Sequence, residues 1–254
     1  MNQTIIEQAI EISQNYLDNS RSHGIPHRDE VHKHFLYLKN DPNTQKIISE
    51  NLLDALEVAV ILHDIGFKNG CRYEHAQRSA DILKTEKNSF FDLLPSKNLI
   101  IYAIEHHPMR DEEKNDDENK CLALLTLLDH MDAIGYEGKT RAELFLKEVC
   151  ICGQNHPNAD FICDVVKEKI QDMKNNLEDY FLEPQKFEKK LKSFKDCHIF
   201  LHTLCNYAWI DFNYQRIENM LGKKLGNKFK EHYEKLKKDS EKIIRDLARG
   251  CPTT

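Results

Sequence analysis

At residues 55–66 the chain reads ALEVAVILHDIG, an almost uninterrupted apolar run that ends in a histidine, an aspartate and a glycine. An apolar run of this length without turn residues favours a buried helix. A buried aspartate is costly unless it is paired, hydrogen-bonded or bound to a metal. Because His63 and Asp64 are both metal-ligand residue types, the run predicts a helix that delivers two ligands to the interior of the protein.

The composition around this run indicates a helical protein. The chain has 254 residues, of which 40% are hydrophobic, with only 9 glycines and 7 prolines. This length and apolar content allow a domain with a substantial core, and the scarcity of helix breakers favours an all-α fold. We predict a metal-binding helical domain over residues 1–154. A helical C-terminal extension over residues 155–254 would pack on that domain or contact a partner.

The charge pattern argues against two kinds of partner. The 36 basic and 42 acidic residues are intermixed and leave a net charge of -6, so we expect no general nucleic-acid binding. The longest uncharged apolar-rich stretch, residues 197–210, is too short to span a membrane. The N-terminus does not resemble a signal peptide, and eight cysteines without a CxxC pair are typical of reduced thiols. We therefore expect a cytoplasmic protein, and the sequence leaves homo-oligomer formation open.

Metal-ligand residue types recur at predicted helix ends and on helix faces. Pro26 suits the first turn of a helix, so His27 is expected at a helix start. Gly66 is expected to end the helix of residues 44–65 as a left-handed cap. Helices that meet in a bundle can pool such ligands into one site. The candidate metal ligands are His27, His63, Asp64, His75, His106, His107 and Asp129.

Some of these ligands lie in three short motifs that follow one another in the order His, His-Asp, Asp. The motifs read HRDEV at residues 27–31, LHDIG at residues 62–66 and LDHMDAIG at residues 128–135. Together they resemble the HD-domain superfamily of metal-dependent phosphohydrolases, over roughly residues 20–150. The resemblance implies an HD-domain-like helical bundle in which His27, His63, Asp64 and Asp129 hold one metal.

Three further histidines lie between the doublet and the last aspartate, and they resemble the extra ligands of the two-metal branches. They are His75, His106 and His107. The resemblance therefore implies one or two divalent transition metal ions, which could be Mn, Fe, Co, Ni or Zn. The cyclic-dinucleotide branch called HD-GYP has a similar histidine pair, followed by Glu and a Gly-Tyr-Pro loop. This chain reads HPMR at residues 107–110, which argues against cyclic di-GMP as the substrate.

The motifs leave rival ligands open. His23 or His32 could replace His27, and Asp132 could replace Asp129. His75 could instead be a surface residue, and one or both of His106 and His107 could fill the pocket or bind substrate phosphate.

The resemblance implies hydrolysis of a phosphomonoester or phosphodiester, of a nucleotide or a related small molecule. A divalent metal supplies hydroxide near neutral pH, and nearby cations stabilise charge on the phosphoryl group. Glu74 could orient the attacking water or protonate the leaving group, and His130 is a weaker candidate for such a role. The candidate cations are Lys68, Arg72, Arg78, Arg110, Lys139 and Arg141.

Two other functions stay open. Some relatives with a di-iron centre are oxygenases, which use the same ligand order with two additional histidines. The chain could also be a regulatory or binding module with a degenerate site, whose C-terminal half contacts a protein.

Overall fold

The computed structural model describes residues 3–20, 23–67, 75–85, 90, 94, 96–107, 116–135 and 198–250. Over these ranges the regular structure is entirely helical, with one short 3-10 helix, Thr44–Lys46, and no strand. The predicted all-α fold is confirmed. None of the described helices combines the length and the apolarity that a membrane span needs. The α helices are α1 (Gln3–Tyr16), α2 (Ile25–Lys39), α3 (Glu50–Leu62), α4 (His75–Thr85), α5 (Lys97–His106), α6 (Asp117–Met131), α7 (His198–Leu221) and α8 (Asn227–Gly250).

Helix α3, which contains the apolar run, lies at the centre of the bundle. Its residues from Leu52 to Leu62 are all buried, and the helix packs against α1, α2, α5 and α6. Each large apolar side chain that is fully buried contributes roughly 1.5–3 kcal/mol. The run therefore forms the core and holds the end of α3, where His63 follows, inside the protein.

Two predicted helix boundaries differ from the structure because side-chain caps set them. Ser49 caps α3 by accepting the Leu52 N–H at 3.3 Å, so the helix predicted over residues 44–65 is divided into the 3-10 helix and α3. Asp116 caps α6 by accepting the Asn119 N–H at 2.9 Å. The apolar pattern of residues 121–134 also predicts a helix, and because of this cap the helix begins earlier, at Asp117.

Gly66 has a different role from the predicted left-handed cap. Within the described ranges the glycines with positive φ are Gly135 and Gly222. At Gly66 a Cβ atom would instead overlap the backbone of Ser79 and His75, and the Gly66 N–H donates to Ser79 Oγ at 2.8 Å. The glycine is therefore needed for the close approach between the turn after α3 and helix α4.

The described part of the C-terminal half packs on the first half. Helix α7 runs along α6, and α8 contacts α7 and α2. Asp41, in the loop after α2, is buried and accepts the Lys228 N–H of α8 at 2.7 Å. The predicted boundary at residue 154 falls between the described segments.

Candidate metal centre

Five helices contribute candidate ligands to one buried cluster. Each contribution comes from a helix end, in the first or last turn or just past it, where a side chain can point inward. The cluster combines His27 in the first turn of α2, His63 and Asp64 after α3, His75 at the start of α4, His107 after α5 and Asp129 in the last turn of α6. All of these side chains are buried except that of Asp129, which is 15% exposed.

The first ligand group surrounds the Nε2 atom of His27. This nitrogen lies 3.3 Å from His63 Nε2 and 3.2 Å from Asp129 Oδ1. The Oδ2 atom of Asp64 lies 3.4 Å from each of the two histidine nitrogens. We call His27, His63, Asp129 and Asp64 Oδ2 the first group.

The second ligand group lies on the other side of the same aspartate. Asp64 Oδ1 is 3.3 Å from His75 Nε2 and 3.7 Å from His107 Nε2, and these two nitrogens are 3.0 Å apart. We call His75, His107 and Asp64 Oδ1 the second group. The carboxylate of Asp64 therefore lies between two sets of donor atoms, with one oxygen towards each.

Backbone carbonyls orient two of the histidines. The His63 Nδ1–H donates to the Val60 carbonyl at 2.9 Å, and the His107 Nδ1–H donates to the Ile104 carbonyl at 2.7 Å. The last carbonyls of a helix lack partners within the helix, so a histidine just past the end can bond to one of them. Because a carbonyl only accepts, the proton is fixed on Nδ1 and Nε2 is directed to the cluster.

A carboxylate orients the third histidine of the cluster. His27 Nδ1 lies 2.7 Å from Asp132 Oδ2, and both side chains are fully buried. Carboxylate partners of this kind fix the ring of a metal-binding histidine and raise its basicity. Asp132 therefore lies behind His27, while Asp129 faces its Nε2 atom.

The charges of the cluster fit a bound cation. Burial lowers the pKa of His63 to about 4, so its ring is neutral near pH 7 and its Nε2 presents a lone pair. Burial alone would raise the pKa of Asp64, but the surrounding histidines, His63 foremost, hold it well below its usual range. Asp64 Oδ2 is buried without a hydrogen-bond partner among the described residues. The buried cluster thus combines a neutral imidazole nitrogen with a carboxylate oxygen that accepts no hydrogen bond from the described residues.

The spacing of the donor atoms is also that of metal ligands. Atoms bonded to a metal at about 2.1 Å are separated from each other by roughly 3.0 to 3.4 Å in octahedral or tetrahedral coordination. The Nε2 atoms of His27 and His63 are 3.3 Å apart, and those of His75 and His107 are 3.0 Å apart. Imidazole and carboxylate donors together suit divalent transition metals, so the residues present fit the ions that the motifs imply.

His63 of the first group and His107 of the second differ in their affinity for protons. The hydrogen bond and negative charge of Asp64 overcome the effect of burial and raise the pKa of His107 above its ordinary value. A proton and a metal compete for the same electron pair on Nε2. Protonation of His107 would therefore oppose a bound metal more strongly than protonation of His63.

One predicted ligand, His106, and one rival ligand, His32, lie outside the cluster. His106 Nδ1 bonds to the Tyr102 carbonyl at 2.9 Å, and its ring stacks on Tyr102 with centroids 4.3 Å apart. His32 lies 3.1 Å from Glu57 Oε1 and belongs to neither group. Among the described histidines, only His107 of the adjacent pair reaches the centre.

Three further candidates border the cluster without joining either group. His23 stacks on Phe67 with centroids 4.0 Å apart, and its ring centroid is 6.0 Å from that of His27. Arg78 Nε donates to the Gly66 carbonyl at 2.8 Å and so supports the turn after α3. His130 Nδ1 lies 2.8 Å from the Thr126 carbonyl. The remaining predicted residues, Glu74, Lys68, Arg72, Arg110, Lys139 and Arg141, lie outside the described residues.

One buried histidine near the cluster, His34, is not among the residues that the sequence motifs predict. His34 is 1% exposed and follows His27 by seven residues on α2, with Val31 between them on the same face. That spacing was a usable signal, but no metal motif includes residue 34. Its partner, His232, is 198 residues away, and no local pattern could have indicated it.

Comparisons of the chain with protein-family models, with curated proteins and with solved structures gave no match. Any assignment of function therefore depends on the three sequence motifs and on the geometry of the buried cluster.

Proposed function

We propose that this protein is a metal-dependent phosphohydrolase whose centre holds two divalent transition metal ions, with Asp64 shared between them. The observation that carries the proposal is the position of this carboxylate, which has histidine nitrogens within 3.4 Å of each oxygen. Neutral side chains often replace buried ionic groups without loss of stability, so structural support alone gives little reason for an aspartate between two sets of imidazoles.

The chain itself orients and buries the candidate ligands and leaves one of them, Asp129, partly exposed. When bound, divalent cations of this kind lower the pKa of water and neutralise charge on a phosphoryl oxygen. The bonds from His63 and His107 to helix-end carbonyls hold the rings ready before any ion arrives. Asp129 is the most exposed of the clustered ligands, so a substrate would approach from the side of α6.

The proposed substrate is a phosphomonoester or phosphodiester of a nucleotide or a related small molecule. This part of the proposal rests on the resemblance to the HD-domain superfamily. Glu74, Lys68, Arg72, Lys139 and Arg141 remain the proposed catalytic side chains. A cytoplasmic location is also part of the proposal, and the buried free thiol of Cys121 suits a reducing compartment.

The test measures metal content and phosphate release on the same protein samples. The full chain would be purified without chelator, analysed for metals, and assayed with Mn²⁺ or Co²⁺ against p-nitrophenyl phosphate, bis-p-nitrophenyl phosphate and a panel of nucleotides. We expect about two metals per chain, as the two groups imply, and phosphate ester hydrolysis.

Two histidine variants make the test specific. His63→Ala should lose metal and activity, because His63 Nε2 faces both His27 and Asp64. His32→Ala removes a partly buried histidine of the same bundle that pairs with Glu57, so it should retain both. Equal behaviour of the two variants would contradict the proposal.

A di-iron oxygenase is the second candidate, because the same imidazole and carboxylate donors suit iron. The specific observation in its favour is the shared carboxylate with histidines on both sides. Bound iron, oxygen consumption with a polyol or phosphonate and no phosphate release would replace the hydrolase proposal. A chain that binds no metal even after supplementation would leave the regulatory module as the better account.

A further inference from the structure

Helix α8 holds the turn that follows Asp129, in the last turn of α6, and Asp132, just past its end. The Gly135 N–H donates to Ser240 Oγ at 2.8 Å, and Ser240 is fully buried. Gly135 has a φ of 75°, and a Cβ atom there would come within 3.3 Å of Leu236. The chain leaving Asp132 is therefore tied to a helix that lies more than 100 residues further along the sequence.

The same helix also holds a buried side chain of α2. His34 Nδ1 lies 2.8 Å from His232 Nε2 of α8. The His232 ring also stacks on Tyr37, with centroids 3.9 Å apart. Two side chains of α2 therefore contact this ring. His34 lies on the helix face that carries His27.

These contacts meet at one cavity beside the first group. A cavity of about 230 Å³ lies between α2, the end of α6 and α8, and His34, His232, Leu236 and Asp132 contribute to its walls. Asp132 also holds His27 Nδ1 at 2.7 Å. Burial lowers the pKa of His34 to about 3, so the ring is neutral and brings no positive charge to compete with His27 for this carboxylate.

We propose that α8 is a positioning element for the first metal group. Ser240 fixes the turn after Asp132. His232 fixes His34, which lines the same cavity as Asp132. Together these two contacts keep the spacing between His27 and Asp129. The inference rests on the proposed metal centre and adds a role for the C-terminal helix. The second group depends on α4 and α5, which pack mainly on each other and on α3 and α6, so it should be independent of α8.

The test isolates each group before changing α8. A His75→Ala background leaves the first group as the intact site, and a His27→Ala background leaves the second. Ser240→Ala and His232→Ala are then added singly to each full-length background, and the Kd for Mn²⁺ is measured by equilibrium dialysis near neutral pH. In the His75→Ala background we expect Kd to rise about tenfold, as is typical when a partner behind a metal ligand is disturbed. In the His27→Ala background Kd should not change.

Two further variants separate positioning from general loosening of the helix. Lys237 Nζ bonds to Asp211 of α7 at 2.5 Å, so Lys237→Ala weakens another attachment of α8 without touching α2 or α6, and it should leave both Kd values unchanged. His232→Gln keeps a side-chain amide that can bond to His34 and should restore most of the affinity lost in His232→Ala. Thermal unfolding of each variant confirms that binding is measured on folded protein.

Two results would overturn the inference. Equal weakening of both groups, or no weakening of either, would show that α8 does not position the first group even though the metal centre exists. Absence of Mn²⁺ binding by the unmodified chain would overturn the proposed function together with this inference.

Discussion

At the scale of single residues, Asp64 determines what the centre can hold. Its two oxygens face different histidines, and its own Oδ2 has no hydrogen-bond partner among the described residues. A carboxylate in this position is destabilising unless positive charge compensates it. Asp132 differs, because its carboxylate has a partner in His27 and acts on the centre only through that ring.

Asp64→Asn should therefore remove metal from both groups, because it takes away the negative charge and one of the two donor oxygens. Asp132→Asn should instead raise the Kd of the first group by about 10–100-fold and still allow saturation at high metal concentration. Equilibrium dialysis with Mn²⁺ followed by elemental analysis distinguishes the two results. An Asp64→Asn protein that still binds two Mn²⁺ ions tightly would show that this carboxylate is not shared.

At the scale of helices, the contact between the turn after α3 and the start of α4 brings the two groups together. Gly66 permits this contact because a Cβ atom would overlap the backbone of His75 and Ser79. His75 is a ligand of the second group, so a displaced α4 would change the spacing of that group.

Gly66→Ala should destabilise the protein by about 1–3 kcal/mol, as overpacking typically does, and should lower the Mn²⁺ content of the second group. Gly222→Ala is the matched control: Gly222 has a φ of 62° with open space around it, so the alanine is strained by about 1–2 kcal/mol. It lies between α7 and α8, which carry no residue of the second group. Urea unfolding compares the stabilities, and metal analysis compares the centres. Equal metal content in the two variants would contradict the proposed role of the contact.

At the scale of the whole molecule, the centre joins five helices, because its ligands come from α2, α3, α4, α5 and α6. Ions that bind only the folded chain stabilise it in proportion to their occupancy. Metal binding at the proposed centre would therefore stabilise most of the first half of the protein.

Mn²⁺ at a hundred times its Kd should raise the free energy of unfolding by about 2.7 kcal/mol per site. Thermal unfolding followed by circular dichroism should show a higher Tm with Mn²⁺ and a return to the starting value with EDTA. His63→Ala should show no increase. A Tm that responds equally in the variant would mean that the ions bind elsewhere.

The junction between the two halves should depend on pH through Asp41. Burial would raise the pKa of this carboxyl, but the N–H groups of Asn43, Lys228 and Thr44 bond to it and lower the pKa below its ordinary value. The stabilisation is therefore complete above the unfolded pKa of about 3.9 and is lost as the pH falls through the lower, folded value.

Asp41→Asn removes the charge and one acceptor oxygen, so it should reduce the free energy of unfolding near neutral pH by about 1–2 kcal/mol, because hydrogen bonds to a charged group are stronger than neutral ones. The difference from the unmodified chain should shrink as the pH falls below about 4. Asp117→Asn removes the same charge from a side chain that is 60% exposed and serves as the control, with a smaller expected loss. Urea unfolding across this pH range measures both, and a difference that grows on acidification would refute the assignment.

Local patterns in the sequence predict the helical class and the residue types of the candidate centre. These follow from local physical chemistry. Apolar periodicity predicts buried helices, and Pro26 lies in the first turn of α2, where a missing N–H costs nothing. Ligand residues at helix ends stand out against apolar surroundings. The sequence accordingly indicates all six residues of the cluster as candidate ligands: His27, His63, Asp64, His75, His107 and Asp129.

The packing of the helices determines which of the candidate ligands meet. Adjacent residues at a helix end point about 100° apart, so packing directs His107 inward and leaves His106 on Tyr102. Packing also placed Asp132 behind His27 and gave Gly66 a role in close approach. The bond between His34 and His232 spans 198 residues. Such choices depend on contacts between helices distant in sequence, and local patterns carry no information about them.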